Sequence, residues 1–386
     1  VKILMLVATN VANDARVVRE AATLAEAGHQ VHVIGKDVPE GYRPAGFTVS
    51  SAGGRSAFKK DGAGASRRLP VHLRAARWLL LPQHRNQVFR SWARAAYQDA
   101  RSREFDVVHA HDFSTLELGA RLADERGAKL VYDTHEYWPG RPRVGRPTPL
   151  QKWRESRVEQ RLGARADAVV TVGEGVAEQL RARYGWSHVR VVRNTFPYAE
   201  PPAPPKAPRG LVYAGRLGPY RELETIVAAA RLVDLPVTLV GPADETYLAG
   251  FDPGPATVRP PLPVAEVDAL LRENGLALVT HSNRWINHRL ALPNKLFHAV
   301  KAGVPVVATD VAELRRVVTR HGIGVLYRPG DAAGLAAAIR EACDRYAELA
   351  RNVRDSAREL SWEKDAAVLT GLYERLAADD EKVGDP

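Results

Sequence analysis

The sequence predicts an α/β protein of two Rossmann-like domains facing a cleft, with a last helix crossing back to the first domain. Three observations carry that reading. Short apolar runs alternate with helical patterns along nearly the whole length, the mark of parallel sheets wrapped by helices. The alternation breaks once, at TFPYAEPPAPPKAPRG (195–210), whose six prolines make a stiff extended connection. And 386 residues are too many for one ordinary core, so two domains of roughly 190 residues are expected. The expected division is 1–195, a linker at 196–210, a second domain at 211–362, and a crossover helix and tail at 363–386.

In chain order, the first half offers strands at Lys2–Ala8, Gln30–Gly35, Asp106–His109, Lys129–Tyr132, Ala168–Val172 and Val189–Val192. Helical patterns at Asp14–Ala27, Thr115–Arg126 and Gly175–Tyr184 separate them. After the proline segment, strands fit Leu211–Ala214, Val237–Val240, Ala277–Thr280, Val304–Ala308 and Val325–Tyr327. Helices fit Glu222–Val233, Val264–Glu273, Pro293–Ala302, Val311–Arg320, Ala332 onward and Glu363–Ala378. Pro293 suits a first helical turn and Gly303 a helix end. In such sheets ligands bind beyond the carboxyl ends of the strands.

Composition narrows the class. One cysteine, Cys343, excludes an internal disulfide and points to a reducing compartment. VKILMLVA is apolar for only eight residues and reads as a first strand rather than a leader, and no apolar run approaches a membrane span. The expected location is therefore cytoplasmic. The net charge of +10 favours anionic partners. Between Ser66 and Arg103 there are nine arginines and one acid, Asp99, interleaved with Trp78, Leu79, Leu80, Leu81, Phe89 and Trp92. That stretch reads either as a solvated helical face or as a surface for an anionic membrane or acidic acceptor. Nucleic acid is the weaker expectation, because no binding signature is present.

Candidate site residues cluster at predicted strand ends. Asn13 or Asp14 can cap the first helix, and Arg16 in its first turn needs an anionic or carboxylate partner. His109, His111 and Asp112 end one strand, and His135 and Glu136 follow another. His-x-His could ligate a metal, but no third ligand stands at a suitable spacing. Arg216 and Arg221 lie in the turn YAGRLGPYRE, beside a helix start, where two guanidiniums make an anion site. Lys295 poses a similar puzzle. A cation in a helix's first turn is unfavourable by a few tenths up to ~1 kcal/mol, and a doubly charged ligand between Lys295 and Arg221 would remove that cost. Asn294, Lys295 and His298 share one helix face.

The ordered set DARVVREA, DVVHAHD, VYDTHE, VVRNT, AGRL, LPNKLFHAVKAGVPVVATD and SWE resembles the retaining glycosyltransferases of family 4, of the GT-B type, in a bacterial subgroup with a P-N-K-L-F donor helix. The resemblance covers nearly the whole chain. It implies that His135 meets the donor sugar near its reacting carbon. It also implies that Arg216, Arg221 and Lys295 hold a diphosphate, and that Asn294, Leu296, His298 and Pro261 complete the nucleotide-sugar site. Asn13, Asp14, Arg16, His111 and Glu136 would then serve the acceptor. The family's two glutamates fall on Leu290 and His298 here. A neutral imidazole accepts one hydrogen bond where a carboxylate accepts two.

The implied function is metal-independent, retaining transfer of a sugar from a UDP- or GDP-sugar to a small natural product or a cell-envelope glycan or lipid. No D-x-D triplet occurs, so neither metal nor further cofactor is expected. The rival reading is a degenerate member that binds nucleotide or a partner without transfer. An epimerase or phosphorylase on the same fold and a basic nucleic-acid binder stand behind it.

Overall fold

The computed structural model describes residues 1–53, 90–141 and 149–383. The chain divides into two compact units. The first holds Val1–Thr171, Leu180–Arg190 and Val368–Pro386; the second holds Val172–Gln179 and Val191–Ala367. The proline segment thus lies inside the second unit, and the last helix, Trp362–Val383, starts in the second unit and ends in the first. No helix among the described residues is long and apolar enough to cross a membrane.

The first unit is built on β1 (Lys2–Leu6), β2 (Gln30–Gly35), β3 (Thr48–Ser51), β4 (Val107–His111), β5 (Lys129–Thr134), β6 (Ala168–Thr171) and β7 (Val189–Val191), in the order β3-β2-β1-β4-β5-β6-β7. The second is built on β8 (Gly210–Ala214), β9 (Val237–Val240), β10 (Thr257–Arg259), β11 (Gly275–Val279), β12 (Val306–Thr309) and β13 (Gly324–Tyr327), in the order β10-β9-β8-β11-β12-β13. Ladders are parallel: Ile3 faces Val31 on one side and Val107 on the other, and Ala277 faces Val212 and Val306. In both sheets the winding reverses beside the first strand, between β1 and β4 and between β8 and β11. That is where a doubly wound sheet leaves a crevice at its carboxyl edge.

The central strands are apolar because both faces are covered. VVHAH in β4 and GLALV in β11 are buried throughout. In the second unit one face packs on Ile226, Val227, Leu335 and Ile339, the other on Leu296, Phe297, Val300 and Leu314. Helix Ala15–Glu26 is capped by Asp14, whose carboxylate accepts from the Val17 amide at 3.3 Å. Helix Asn294–Ala302 ends at Gly303 in the left-handed conformation, with Pro293 as its N-cap.

Elements that periodicity does not reveal are edges and polar helices. β3 (TVSS) and β10 (TVR) are short and partly exposed, so they lack an apolar run. Helix Pro149–Arg165, rich in Arg and Gln, carries no clear apolar stripe in its sequence. Of the arginine-rich segment, 66–89 lies outside the described residues. Within 90–103 the structure corrects one membrane-facing candidate: Trp92 is 1% exposed, and its indole N–H donates to the Gly35 carbonyl.

One backbone position matters for the second unit's crevice. Gly241, just beyond β9, has φ 145°, and a Cβ there would stand 2.1 Å from the Gly215 carbonyl oxygen. Gly241→Ala is therefore expected to lower unfolding stability by about 2 kcal/mol or more, measurable by urea denaturation.

Candidate active site

At the carboxyl edge of the second sheet is a cavity of about 440 Å³ lined by Gly215, Arg216, Arg221, Gly241, Pro261, Leu262, Val264, Val267, Asn294, Lys295 and His298, with Tyr213 among the remaining walls. The three cations singled out from the sequence thus share one wall system. Lys295 Nζ donates to the Thr280 carbonyl at 2.7 Å and sits 4.2 Å from the centre of the Tyr213 ring. Burial first, and then Arg221, push its ammonium well below its ordinary range. Arg221 Nη1 is 2.8 Å from His281 Nε2. His281 is held down to about 2, by burial first and then by Lys295 and Arg221. It is therefore neutral, so its Nε2 can accept from the guanidinium. Arg216 is 62% exposed and reaches Asp244 only at 3.6 Å, a contact worth little.

The sequence explains this surplus of positive charge. From Glu273 to Asp310 no acid intervenes, while Arg284, Arg289, Lys295, Lys301 and three histidines do. The turn before helix Leu223–Ala230 adds strain. Tyr220 (φ 66°) and Glu222 (φ 63°), on either side of Arg221, are non-glycine residues in the left-handed region. Such conformations cost of order 1–3 kcal/mol each and persist where surrounding structure imposes them. Here the Arg221 carbonyl accepts from Thr280 Oγ1 and the Tyr220 carbonyl from the Ser282 amide. The turn is tied to the end of β11, which aims Arg221 into the cavity.

Asn294 lines the same cavity and its amide oxygen accepts from Asn194 at 2.9 Å. Pro261 and His298 line it too. Leu296 does not: its side chain is fully buried in the core on the opposite helix face. That corrects its place among the ligand-binding residues, since in a helix positions 295 and 296 point about 100° apart.

The first unit's carboxyl edge holds a buried ionic cluster. Arg16 grips Asp133 with two hydrogen bonds of 3.0 Å and lies 2.9 Å from Glu20 Oε1. His109 Nδ1 is 2.9 Å from the Tyr373 hydroxyl, and His111 Nδ1 is 3.3 Å from His135 Nε2 and 3.4 Å from Asp133. His135 also faces Asp112 at 3.5 Å, and its amide donates to the same carboxylate. Burial alone would raise Asp133, yet Arg16, His135, His109 and His111 hold it well below the usual carboxylate range. Burial pushes its neighbour Glu20 up to about 8 despite Arg16. At neutral pH one carboxyl is thus ionised and the other protonated. Burial lowers His109 to about 4. His135 goes the other way: burial opposes its charge, but Asp112 and Asp133 raise it to about 9.

This placement corrects two acceptor candidates. Arg16 (3% exposed) and His111 (1% exposed) are interior residues. The partner Arg16 requires is internal, Asp133 with Glu20. Asn13 is exposed, Asp14 caps the helix and accepts from Thr9 Oγ1, and Glu136 pairs with Arg141 at 3.0 Å. Glu20, four residues after Arg16 and so on its helix face, is the group that sequence reading misses. Glu20, His109, His111 and Asp133 also bring ligand-type atoms within 4.8 Å of one another, and the His109 and His111 Nε2 atoms have no hydrogen-bond partner among the described residues. The donor set would suit a transition metal. Arg16, however, already places a fixed positive charge against both carboxyls, bonded to Asp133 and close to Glu20, so the cluster fits an ion-pair network better.

The cluster's titration has a definite sign. Glu20 and His135 bind protons more tightly when folded. The stability they contribute is complete below about 4.5 and 6.5, their ordinary values, and is lost as pH rises through about 8 and about 9. Thermal melts are expected to fall between pH 7 and 9.5, and less steeply in Glu20→Gln. Arg16→Ala, which strands a buried carboxylate, is expected to cost about 3–5 kcal/mol in the same melts converted to unfolding free energies.

Comparison with known proteins bears on the family and the fold. A family model described as Glycosyltransferase Family 4 matches residues 15–198, and one described as Glycosyl transferases group 1 matches 208–345. A D-inositol 3-phosphate glycosyltransferase of Paenarthrobacter aurescens is 24% identical over 92% of this chain and 90% of its own length. A glycogen synthase of Mycobacterium tuberculosis is 24% identical over 69% and 68%. Among solved structures, sucrose-phosphate synthase from Thermosynechococcus elongatus superposes with a TM-score of 0.72 at 18% identity, covering 98% of this chain and all of that one. Anabaena HepE in complex with UDP-glucose gives 0.65 at 16%, covering 98% and 99%. With two doubly wound parallel sheets and both family models in register, the chain belongs to the glycosyltransferases of the family 4 type, built on the GT-B fold.

Proposed function

We propose that this glycosyltransferase takes its sugar from a nucleoside diphosphate sugar bound in the second unit's cavity, with UDP or GDP as the nucleotide. One observation carries the reading: Arg216, Arg221 and Lys295 line a single cavity, and among the described residues their only carboxylate partner is the loosely held Asp244. A dianionic diphosphate supplies the charge that is missing there. It would also oppose the burial and the Arg221 charge that hold Lys295 below its ordinary range. The apolar wall of Pro261, Leu262, Val264 and Val267 suits a base.

In this mechanism the bond between the anomeric carbon and the diphosphate oxygen breaks as the acceptor oxygen bonds to that carbon. The acceptor's proton passes to the departing diphosphate oxygen, and the three cations stabilise the charge that develops there. Retention of configuration follows from the family resemblance, and independence from metal from the lack of a D-x-D triplet in the sequence. His135, Asn13, Asp14 and Glu136 remain the acceptor-side candidates in the first unit, with His135 kept cationic by two carboxylates. The acceptor is a hydroxyl-bearing small natural product or cell-envelope glycan or lipid.

Thermal melts with UDP, GDP, dTDP and ADP test the nucleotide. A ligand at 100 times its Kd adds about 2.7 kcal/mol of stability, and no shift with any of the four would remove the reading. Arg221→Ala is expected to cut kcat/KM by about 10²–10³. Chelator is expected to leave the rate unchanged; activity lost to chelator and restored by a divalent ion would contradict metal independence.

A further inference from the structure

Next to Arg221 stands a group of rings that the cavity does not use as a wall. Arg221 Nη1 reaches His281 Nε2 at 2.8 Å. From there the rings follow one another: His281 to His288, His288 to Trp285 and Trp285 to Tyr220, each pair with centroids 4.6 Å apart. Hydrogen bonds impose this placement. Tyr220, directly before Arg221, accepts at its carbonyl from the Ser282 amide, and Ser282 Oγ lies 2.5 Å from His288 Nδ1. Tyr220 keeps a left-handed backbone at φ 66° although it is not glycine, and it is 43% exposed. A strained turn that holds a large ring out to solvent points to a contact outside the fold.

Arg284 completes the group. Its guanidinium carbon lies 5.2 Å from the centre of the Tyr220 ring and 5.1 Å from that of Trp285. The residue is exposed, and no carboxylate among the described residues pairs with it. Aromatic faces orient a guanidinium without cancelling its charge. Burial first, and then Arg221, hold His288 down to about 4, so at neutral pH the charge on these rings comes from Arg284. The group is an aromatic surface carrying a positive fork.

Its position names the ligand. Pro261, Leu262, Val264 and Val267 line the cavity together with Arg221 and Lys295; Tyr220, Arg284 and Trp285 lie outside that lining and adjoin it at Arg221. A nucleoside diphosphate sugar runs in the order base, ribose, diphosphate, sugar. With the diphosphate on Arg221 and the base on the apolar wall, the sugar is the part that reaches the rings. Aromatic rings bind the apolar C–H face of a sugar, and a guanidinium grips a carboxylate with two parallel hydrogen bonds. A neutral hexose offers that fork only hydroxyls, whereas a hexuronic acid offers a carboxylate at C6. On the nucleoside-diphosphate reading of the cavity, on which this rests, we propose that Tyr220, Trp285 and Arg284 hold the transferred sugar and that Arg284 selects a hexuronic acid.

The test measures Kd by calorimetry on the full chain, first for UDP and GDP. It then compares UDP-glucose with UDP-glucuronic acid, or GDP-mannose with GDP-mannuronic acid, according to which nucleotide binds. The wild type is expected to hold the hexuronate about tenfold more tightly than the hexose. Arg284→Ala and Arg284→Gln are each expected to abolish that preference while leaving the Kd of the free nucleotide unchanged. Arg284→Lys, which keeps the charge but loses the fork, is expected to keep part of it. Raising the salt concentration should shrink the preference in the wild type and change nothing in Arg284→Ala. If neither nucleotide binds, the reading of the cavity has failed, and the proposal with it. If a nucleotide binds but hexose and hexuronate bind equally, the cavity reading stands and the proposal alone is overturned. Full preference in Arg284→Ala overturns it too, as does an equal loss of free nucleotide binding in that variant, which would place Arg284 on the diphosphate. Free glucuronate is also titrated into nucleotide-saturated protein. Arg284-dependent binding there, without a preference between the nucleotide sugars, would put the carboxylate on the acceptor and overturn the assignment to the donor.

Discussion

The second unit's site depends on a lysine that no acid among the described residues answers. Lys295 is pinned between the carbonyl oxygen at the end of β11 and the face of Tyr213. Both attract a cation, yet neither carries formal charge. The ammonium is thereby oriented without being neutralised. A salt bridge would have stabilised the apo protein at the expense of anion binding. Arg221 follows the same rule by bonding to a neutral histidine. Glycine at 241, the two left-handed residues around Arg221 and the ties from β11 to that turn serve this one constraint: positive charge delivered to a crevice by backbone, not by carboxylates.

The first unit solves the opposite problem. Arg16 lies in the first turn of a helix, where its charge is unwelcome, and it is answered completely from within by Asp133 and Glu20. Two carboxyls near one guanidinium settle into one ionised and one protonated partner, and three histidines share what remains. The same topology thus carries, among the described residues, an arginine paired with carboxyls in one sheet and cations without close carboxylate partners in the other.

Sequence reading reached the central strands because burial on both faces forces largely apolar runs, as in GLALV. It missed β3 and β10, whose edge positions need no such runs, and helix Pro149–Arg165, whose pattern is dominated by solvated Arg and Gln. It located Arg216 and Arg221 in a strand-to-helix turn and Lys295 in the first turn of a helix, and the fold brings the three to one crevice. What it could not supply is tertiary pairing. Nothing local in the chain says that Thr280 anchors Lys295, that Asp133 claims Arg16, or that Asp268, thirty residues upstream, pairs with His298. Leu296 entered the site through the resemblance of the P-N-K-L-F motif, and the helix turns its side chain into the core.

The long stretch without carboxylates between Glu273 and Asp310 has a consequence beyond the bound state. A low-dielectric crevice edged by one sign of charge focuses field lines outward, so it acts on a polyanion before contact. For the diphosphate ligand proposed above, association would then be a steered diffusional process whose rate falls steeply with ionic strength, while neutral contacts in the crevice would govern how long the captured molecule stays.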